Sequence, residues 1–291
     1  MNLSDIKTEL DSKGYVVINN VLQIEECGKA LELFNDWIKT IPDFNLKHSK
    51  IDPHGIIKYW EVGQQEHAWF IRTRENIINI FKYIYDTDKV IVSFDGACYI
   101  NPEEYKKKRD KVWTHTDQAP IKDKFECYQG FYSMTDNVNT SLVVYEGSHK
   151  LHNKYFKDRG DESKKNWNLI DIEYLEEIKD LRRVLKVDKN SLVIWDSRTF
   201  HQNQYGYPNC ETRIVQYISY MPRNHPKYTK AQREKRTKYV FEYRTTSHWA
   251  VQPKVNSLQP RTFGNATLLI DYDKLRKPNL KPYLSEMVEL I

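Results

Sequence analysis

The 291-residue sequence is short of cysteine and has no long apolar run. Its cysteines are scattered and form no CxxC pair, which argues against a disulfide framework and against a cysteine-based zinc site. No stretch of about 18 apolar residues occurs, so we expect no transmembrane helix. The opening segment, MNLSDIKTEL, has neither a basic stretch nor an apolar core, so we expect no signal peptide. These absences predict reduced thiols and a cytoplasmic or nuclear location, of which we take the cytoplasm as the prediction. The four cysteines are Cys27, Cys98, Cys127 and Cys210.

A large excess of charge of either sign is also absent. Lysine and arginine number 45 against 40 aspartates and glutamates, a formal net charge of +5 that is too small to indicate a polybasic nucleic-acid coat. The excess is local, because residues 224–244 alone carry seven basic and two acidic side chains. A second basic cluster spans 106–111. We expect a solvated surface at both, and the alternative is contact with an anionic substrate, such as a phosphate- or CoA-bearing molecule, or with nucleic acid.

The rest of the composition is that of a globular protein rich in aromatic residues. Hydrophobic residues make up 40% and charged residues 29%, which excludes a disordered or collagen-like chain. Apolar spacing and turn signals predict helices first and then a series of short strands. The helices are predicted over 5–12, 24–40, 71–85, 172–178 and 226–239. The strands are predicted over 15–18, 90–100, 128–135, 141–145, 184–187, 191–195 and 213–221.

This order of elements predicts an α+β or mainly β protein built on one antiparallel sandwich or barrel. We interpret the chain as a single domain, 1–291. Within it, 1–90 would form helical support, 91–222 the sheet core with an insertion over 151–180, and 223–291 a basic C-terminal extension.

The first motif with chemical meaning is His115-x-Asp117. On an extended segment, residues two apart project to the same side, so this imidazole and this carboxylate can converge on one point. They supply two of the three ligands of a 2-His-1-carboxylate facial triad, which leaves open positions on Fe(II). The pair alone is weak evidence for a metal site, since a His-x-Asp sequence on the surface of a protein is common.

A third ligand is offered by the apolar run 191–200, which delivers His201 at its end. If the following hairpin folds about Tyr207, Arg213 lies opposite His201 on the neighbouring strand. An arginine beside an open iron site suits a dicarboxylate, because its fork geometry selects a carboxylate. Alternatives remain open: His201 could be a core histidine, Arg213 an ion-pair partner of Asp196 or Glu211, and two histidines with one carboxylate could hold zinc.

These residues resemble the phytanoyl-CoA dioxygenase family of Fe(II)/2-oxoglutarate-dependent oxygenases. The similarity covers roughly residues 10–222. Four residues carry the similarity: His115, Asp117, His201 and Arg213. Three segments add to it: Gly14-Tyr15-Val16-Val17-Ile18, the strand 141–150 that ends in Gly147-Ser148-His149, and Trp195-Asp196-Ser197-Arg198 ahead of His201.

The resemblance implies a double-stranded β-helix, or jelly-roll, core of the cupin-like type and a dioxygenase that uses Fe(II), 2-oxoglutarate and O2. It implies His115, Asp117 and His201 as iron ligands, and Arg213 as the partner of the distal carboxylate of 2-oxoglutarate. Further lining residues implied by position are Phe131, Asn203, Gln118 and Tyr99. Asn203 departs from the hydroxyl residue that is common at that place.

The implied reaction hydroxylates an unactivated C–H bond of a small or anionic substrate and releases succinate and CO2. Two other functions stay open. One is a non-catalytic jelly-roll binding protein, against which the intact set of ligands argues. The other is an oxygenase that binds or modifies nucleic acid through 224–244. The sequence leaves the primary substrate and the oligomeric state open.

Overall fold

The computed structural model describes residues 3–105 and 111–291, so most of the basic cluster over 106–111 lies outside the described residues. The chain divides into two compact units. The first comprises the described parts of Met1–Asn19 and Ile100–Arg213, and the second comprises Asn20–Tyr99 and Ile214–Ile291. Each unit is thus assembled from two stretches that are distant in sequence. The single domain and its internal boundaries stay a prediction.

The helices and strands alternate along the chain, with most strands after the first hundred residues. The α-helices are α1 (Leu3–Lys13), α2 (Ile24–Lys39), α3 (Phe44–Ile51), α4 (Glu66–Arg72), α5 (Glu75–Tyr85), α6 (His152–Asp158), α7 (Ile172–Glu177), α8 (Lys230–Phe241) and α9 (Leu284–Leu290). The strands are β1 (Tyr15–Ile18), β2 (Ile56–Ile57), β3 (Val90–Val92), β4 (Ala97–Ile100), β5 (His115–Thr116), β6 (Tyr128–Ser133), β7 (Leu142–Tyr145), β8 (Asn168–Leu169), β9 (Arg182–Val184), β10 (Ser191–Asp196), β11 (His201–Asn203), β12 (Arg213–Ile218) and β13 (Tyr220–Pro222).

The first unit contains two sets of antiparallel strands. In one set, β10 lies between β1 and β6, with Trp195 opposite both Tyr15 and Gln129. The other set is a five-stranded sheet in the order β8-β5-β11-β7-β9. Its strands are short and its registers are fixed by β-branched and aromatic residues on the buried face, which include Val143 and Tyr145 of β7.

A buried aromatic cluster closes one side of this five-stranded sheet. Tyr155 and Phe156 of α6 pack edge to face, and Tyr155 also contacts the ring of Phe200. Leu175 of α7 and Ile170 are buried in the same cluster. The insertion predicted over 151–180 therefore supplies core residues as well as polar surface, because its two helices bury one apolar face each.

The second unit packs helices around the strands β12, β4 and β2 and the pair β13–β3. Helix α2 begins with a capping box between Gln23 and Glu26, and it buries Phe34 and Trp37 on one face. The helix α5 buries Ile77 and Phe81 in the same way. The predicted α+β class with antiparallel pairing is confirmed by the two units.

Three predicted elements are interrupted in the structure. The helix predicted over 71–85 is the end of α4 followed by α5, because the backbone of Arg74 is extended, with ψ 121°, between the two helices. The strand predicted over 90–100 breaks into β3 and β4 before Gly96, where a Cβ would lie 1.9 Å from the Ile57 carbonyl oxygen. The strand predicted over 213–221 breaks at Ser219, which is hydrogen bonded to Ser93.

The hairpin pairing of His201 with Arg213 is wrong. His201 is opposite His115 on one side and Val144 on the other, so both edges of β11 are occupied. Arg213 begins β12, which belongs to a different sheet. The turn at 205–209 therefore connects two sheets, and its Gly-Tyr-Pro-Asn signal says only that the chain reverses there.

The basic segment 224–244 contains α8, and its charges are not equivalent. Lys230, Arg233 and Lys235 are exposed, whereas Arg236 is fully buried. The predicted surface role thus applies to the exposed cations only. No helix within 3–105 or 111–291 combines the length and the apolar character needed to cross a membrane.

Candidate metal centre

Three side chains of the first unit converge where β5 and β11 run side by side. His115 and His201 are directly opposite in the antiparallel register, which puts both imidazoles on one face of the sheet. Asp117 follows His115 by two residues and points to the same side. One ligand atom from each of the three lies within 4.8 Å of the others.

The two imidazoles present the same nitrogen to this point. His115 Nδ1 lies 3.3 Å from the Trp113 carbonyl oxygen, and His201 Nδ1 lies 2.9 Å from the Thr199 carbonyl oxygen. A carbonyl accepts only from a protonated nitrogen, so each ring carries its proton on Nδ1 and leaves a lone pair on Nε2. The Nε2 atoms of His115 and His201 lie 3.7 and 3.5 Å from Asp117 Oδ2.

The electrostatics keep His115 neutral. Burial lowers the pKa of its imidazole, and the adjacent His201 lowers it further, against a smaller raising effect of Asp117. Since metals bind only the neutral ring, the lowered pKa favours a ligand over an imidazolium. Asp117 is itself oriented, because Gln129 Nε2 donates to its Oδ2 at 3.1 Å.

The turn that precedes His201 is fixed by residues from distant parts of the chain. Ser148 Oγ accepts a hydrogen bond from the Phe200 amide at 2.8 Å, and the Gly14 carbonyl accepts one from the Thr199 hydroxyl at 3.0 Å. Gly14, at the start of the Gly-Tyr strand, and Ser148, in the Gly-Ser-His turn, therefore both hold the backbone next to His201 in place.

Arg213 is fully buried in the first unit and is only partly satisfied. Its Nε donates to Asn137 Oδ1 at 2.9 Å, and its Nη1 donates to Asn203 Oδ1. Its Nη2 has no hydrogen-bond partner. Leaving such a group without an acceptor in the interior is costly, so the guanidinium keeps a donor that an anionic oxygen could satisfy.

Neither predicted ion-pair partner reaches Arg213. Asp196 instead forms a two-pronged ion pair with Arg198, at 2.9 and 2.6 Å. Glu211 accepts from the backbone amides of the loop 138–140. No carboxylate in the described part of the chain forms an ion pair with Arg213, so its buried positive charge is available to a ligand.

An aromatic floor joins the arginine to the histidines. The guanidinium carbon of Arg213 lies 4.9 Å from the centre of the Phe131 ring. The Phe131 ring is 6.0 Å from that of Trp195, which is 5.3 Å from the His201 ring. The indole Nε1 of Trp195 is buried and has no hydrogen-bond partner.

Two of the other predicted lining residues are held by other contacts. The Gln118 amide donates to the carbonyls of Lys122 and Lys124 and accepts from Ser197, so this side chain ties together the loop after Asp117. Tyr99 belongs to the second unit, where its ring packs against Phe44 and His48.

Sequence reasoning missed several residues that shape this region. Gln129 and Asn137 orient Asp117 and Arg213, and the rings of Trp113 and Trp167 lie 5.0 and 5.5 Å from that of His115. Gln129 had a usable signal, because it stands two residues before Phe131 on one strand and so shares its face. Asn137 and Trp167 lie outside any recognisable motif.

The donor set suits a metal ion and a dicarboxylate together. Two imidazoles and one carboxylate on one face match the 2-His-1-carboxylate arrangement of non-haem Fe(II), and they could also hold zinc. The unpartnered Nη2 of Arg213 is a donor that a zinc site would not require. The residues present therefore fit iron with an anionic cosubstrate.

Comparison with known proteins agrees with this geometry at the level of the fold. No protein-family model matches the chain. "Ava biosynthesis cluster protein O" of Aspergillus versicolor is 24% identical over 264 residues, which cover 82% of this chain and 83% of that protein.

Three solved structures share the fold. GlcNAc Inducible Gene 2 from Candida albicans matches with a TM-score of 0.58 and 14% identity, over 76% of this chain and 65% of that one. The epimerase SnoN, in complex with Fe3+, alpha ketoglutarate and nogalamycin RO, matches with a TM-score of 0.52 and 12% identity, over 76% and 83%. HygX from Streptomyces hygroscopicus, with nickel and 2-oxoglutarate bound, matches with a TM-score of 0.52 and 11% identity, over 75% and 86%. The chain therefore shares its fold with two proteins whose solved structures hold a metal ion and 2-oxoglutarate, SnoN and HygX.

Proposed function

We propose that this protein is an Fe(II)- and 2-oxoglutarate-dependent oxygenase on a jelly-roll core, of the phytanoyl-CoA dioxygenase-like type. In this proposal it hydroxylates an unactivated C–H bond of a small molecule and releases succinate and CO2. The observation that carries the proposal is the buried Nη2 of Arg213, which has no partner and belongs to the same unit as the His115–Asp117–His201 cluster.

Each residue has a defined task in this proposal. His115, Asp117 and His201 hold the metal through two Nε2 atoms and one carboxylate. The carbonyls of Trp113 and Thr199 hold a proton on each Nδ1, so the two Nε2 atoms are the ones that can bind the metal. The bound iron and 2-oxoglutarate supply the oxidising power by activating dioxygen.

Arg213 binds the distal carboxylate of 2-oxoglutarate, and two amide oxygens aim its guanidinium. One of them belongs to Asn203, which stands two residues after His201 on β11 and therefore about 7 Å along the same face. An extended five-carbon dicarboxylate spans a comparable length. The Phe131 and Trp195 rings exclude water along this path, which strengthens the ionic contact.

The test is a paired titration of metal and cosubstrate. Purified protein is titrated without oxygen with Fe(II), and succinate release is then measured with 2-oxoglutarate and air. We expect Asp117→Ala to abolish tight iron binding and all succinate release. The matched control is Asp158→Ala, which removes an exposed carboxylate paired with Lys154 and should change neither.

Two results would contradict the proposal. One is succinate release by Asp117→Ala at the wild-type rate, and the other is a preference for zinc with no response to 2-oxoglutarate. Product analysis with a responsive substrate tests the finer claim. SnoN is an epimerase, so a second outcome is conceivable. If the product is a stereoisomer of the substrate with no oxygen added, the proposed cofactors stand and the proposed hydroxylation is refuted.

A further inference from the structure

Beside the metal centre, the edge strand β8 and the residue before it expose two large apolar side chains. β8 ends the order of the five-stranded sheet, and among the described strands it pairs with β5 alone, with Leu169 opposite His115. The exposed fractions of Trp167 and Leu169 are 49% and 53%. Isolated exposed apolar residues are ordinary, but adjacent ones on an open sheet edge invite a partner.

The register puts these side chains on the same face as the metal ligands. Residues directly opposite in an antiparallel pair share a face, so Leu169 points to the side of His115. Trp167 is two residues from Leu169 and shares that face as well. The 5.5 Å separation between the rings of Trp167 and His115 agrees with this placement.

Side chains alternate between the two faces of the chain along 167–170, and the face opposite Leu169 packs into the core. Ile170 is buried in the aromatic cluster of the first unit, and its amide donates to the Thr114 carbonyl at 2.9 Å. The core therefore accounts for one face of this segment, and Trp167 and Leu169 lie on the other face, about half exposed.

The side chains that lie against the His115 ring on this face are aromatic and uncharged, and the charge of the cluster is on Asp117. Trp113 stacks on the His115 ring at 5.0 Å with an interplanar angle of 12°, and Trp167 lies over the same ring at 35°. We call Trp113, Trp167 and Leu169 the platform. In the described part of the chain, no arginine or lysine covers the Trp167 ring, so half of this indole faces solvent.

We propose that the platform binds a planar, uncharged aromatic ring of the substrate and so selects the substrate class of this enzyme. The proposal rests on the proposed function, because it treats His115 as the metal ligand next to which the substrate lies. Stacked or edge-to-face contact with an indole favours an aromatic ring over an aliphatic one of equal area. A ring held there lies beside His115, where a substrate must be to react.

The test uses indole as a neutral aromatic probe and cyclohexanol as an aliphatic one. Saturation-transfer NMR gives the affinity of each probe for the full chain without metal. We expect indole to bind more tightly than cyclohexanol, and Trp167→Ala to weaken indole roughly fivefold. Trp167→Phe should retain most of the affinity. The matched control, Phe263→Ala, removes a side chain that is 91% exposed in the second unit and should have no effect.

Two results would overturn the platform as a substrate site. One is unchanged indole affinity in Trp167→Ala. The other is sedimentation that shows a self-associating wild type and a monomeric Trp167→Ala, because the platform would then join two copies through their sheet edges.

Mn(II) separates this proposal from the proposed function. With Mn(II) bound, as measured by its own titration, we expect strong paramagnetic broadening of the indole signals, and its absence would overturn the platform. If Mn(II) does not bind at all while indole still depends on Trp167, the platform stands as an aromatic site and the proposed function fails.

Discussion

Two arginines, one in each compact unit, are completely buried and yet are used in opposite ways. In Arg236 of α8, each of the three guanidinium nitrogens donates a hydrogen bond to a backbone oxygen. Its Nε donates to Ile291, its Nη1 to Ala250, and its Nη2 to both Val92 and Leu290, at 2.5 to 2.9 Å. Arg213 is held by two amide oxygens and keeps its Nη2 unpartnered.

The difference shows that burial of a cation says little about function unless its donors are counted. A guanidinium has five N–H groups, and a structural arginine satisfies them within the fold. An arginine that binds a ligand must keep donors in reserve, which costs stability in the free protein. By this criterion Arg236 is a structural residue of the second unit, and Arg213 keeps the free donor that the proposed function requires.

The largest effect should come from removing the satisfied arginine. Arg236→Met removes the guanidinium donors from three buried carbonyls, those of Val92, Ala250 and Leu290, so we expect the free energy of unfolding to fall by about 3–5 kcal/mol. Urea denaturation followed by circular dichroism measures this. Lys235→Met, at the exposed neighbouring position, is the control and should stay within about 0.5 kcal/mol of wild type. A loss below about 1 kcal/mol for Arg236→Met would break the comparison.

Next in size is the effect of altering the unsatisfied arginine. Arg213→Lys replaces a fork by a point charge, so we expect 2-oxoglutarate to bind about tenfold more weakly or worse, while iron affinity is nearly unchanged. Calorimetric titration of metal and then of cosubstrate measures both. Arg159→Lys, at an exposed ion pair with Asp171, is the control. Unchanged cosubstrate affinity would show that Arg213 does not bind the distal carboxylate.

A smaller effect is expected from the residue that aims Arg213. Asn137→Ala frees Nε, and the guanidinium can then turn, so 2-oxoglutarate affinity should fall roughly fivefold. Metal affinity should not change, since Asn137 contacts no ligand of the cluster. If iron binding falls in parallel with cosubstrate binding, the substitution acts through the fold and the positioning role is refuted.

The smallest effect concerns the second unpartnered donor of this region. Trp195→Phe keeps an aromatic ring next to His201 and removes the buried indole N–H. We expect unchanged thermal stability and a loss in 2-oxoglutarate affinity of about threefold at most. A clear loss of melting temperature would mean that the N–H serves the fold, and the contrast with Arg236 would then not extend to Trp195.

The candidate site residues could be predicted from the sequence, but their arrangement in space could not. Short motifs placed His115, Asp117, His201 and Arg213 in one group because their spacing and residue types resemble a family pattern. The proposed hairpin between His201 and Arg213 failed, since a turn signal fixes where a chain reverses and not which sheet it enters next. The contact that connects Arg213 to β11 is made by Asn203, which the family resemblance implied as a lining residue and which the hairpin register did not predict as the partner of Arg213.

Element types were easier to predict than their ends. The strand 15–18 agrees residue for residue, because its apolar run lies between Gly14 and Asn19. The burial of the insertion was harder to predict. Its aromatic residues in α6 belong to the core because they pack against Phe200, which is distant in sequence. The same holds for Trp167, whose exposure beside a histidine becomes meaningful only after β8 has paired with β5.

The hydrogen bond between the Gly14 carbonyl and the Thr199 hydroxyl has a kinetic consequence. It links positions 185 residues apart, and Gly14 adopts φ +83, with a Cβ there lying 2.4 Å from His149 Nδ1. Contacts of such sequence separation form slowly, because a long loop must close before they stabilise anything. The turn before His201 is therefore expected to mature late in folding, so the appearance of metal affinity during refolding would time the docking of the N-terminal strand.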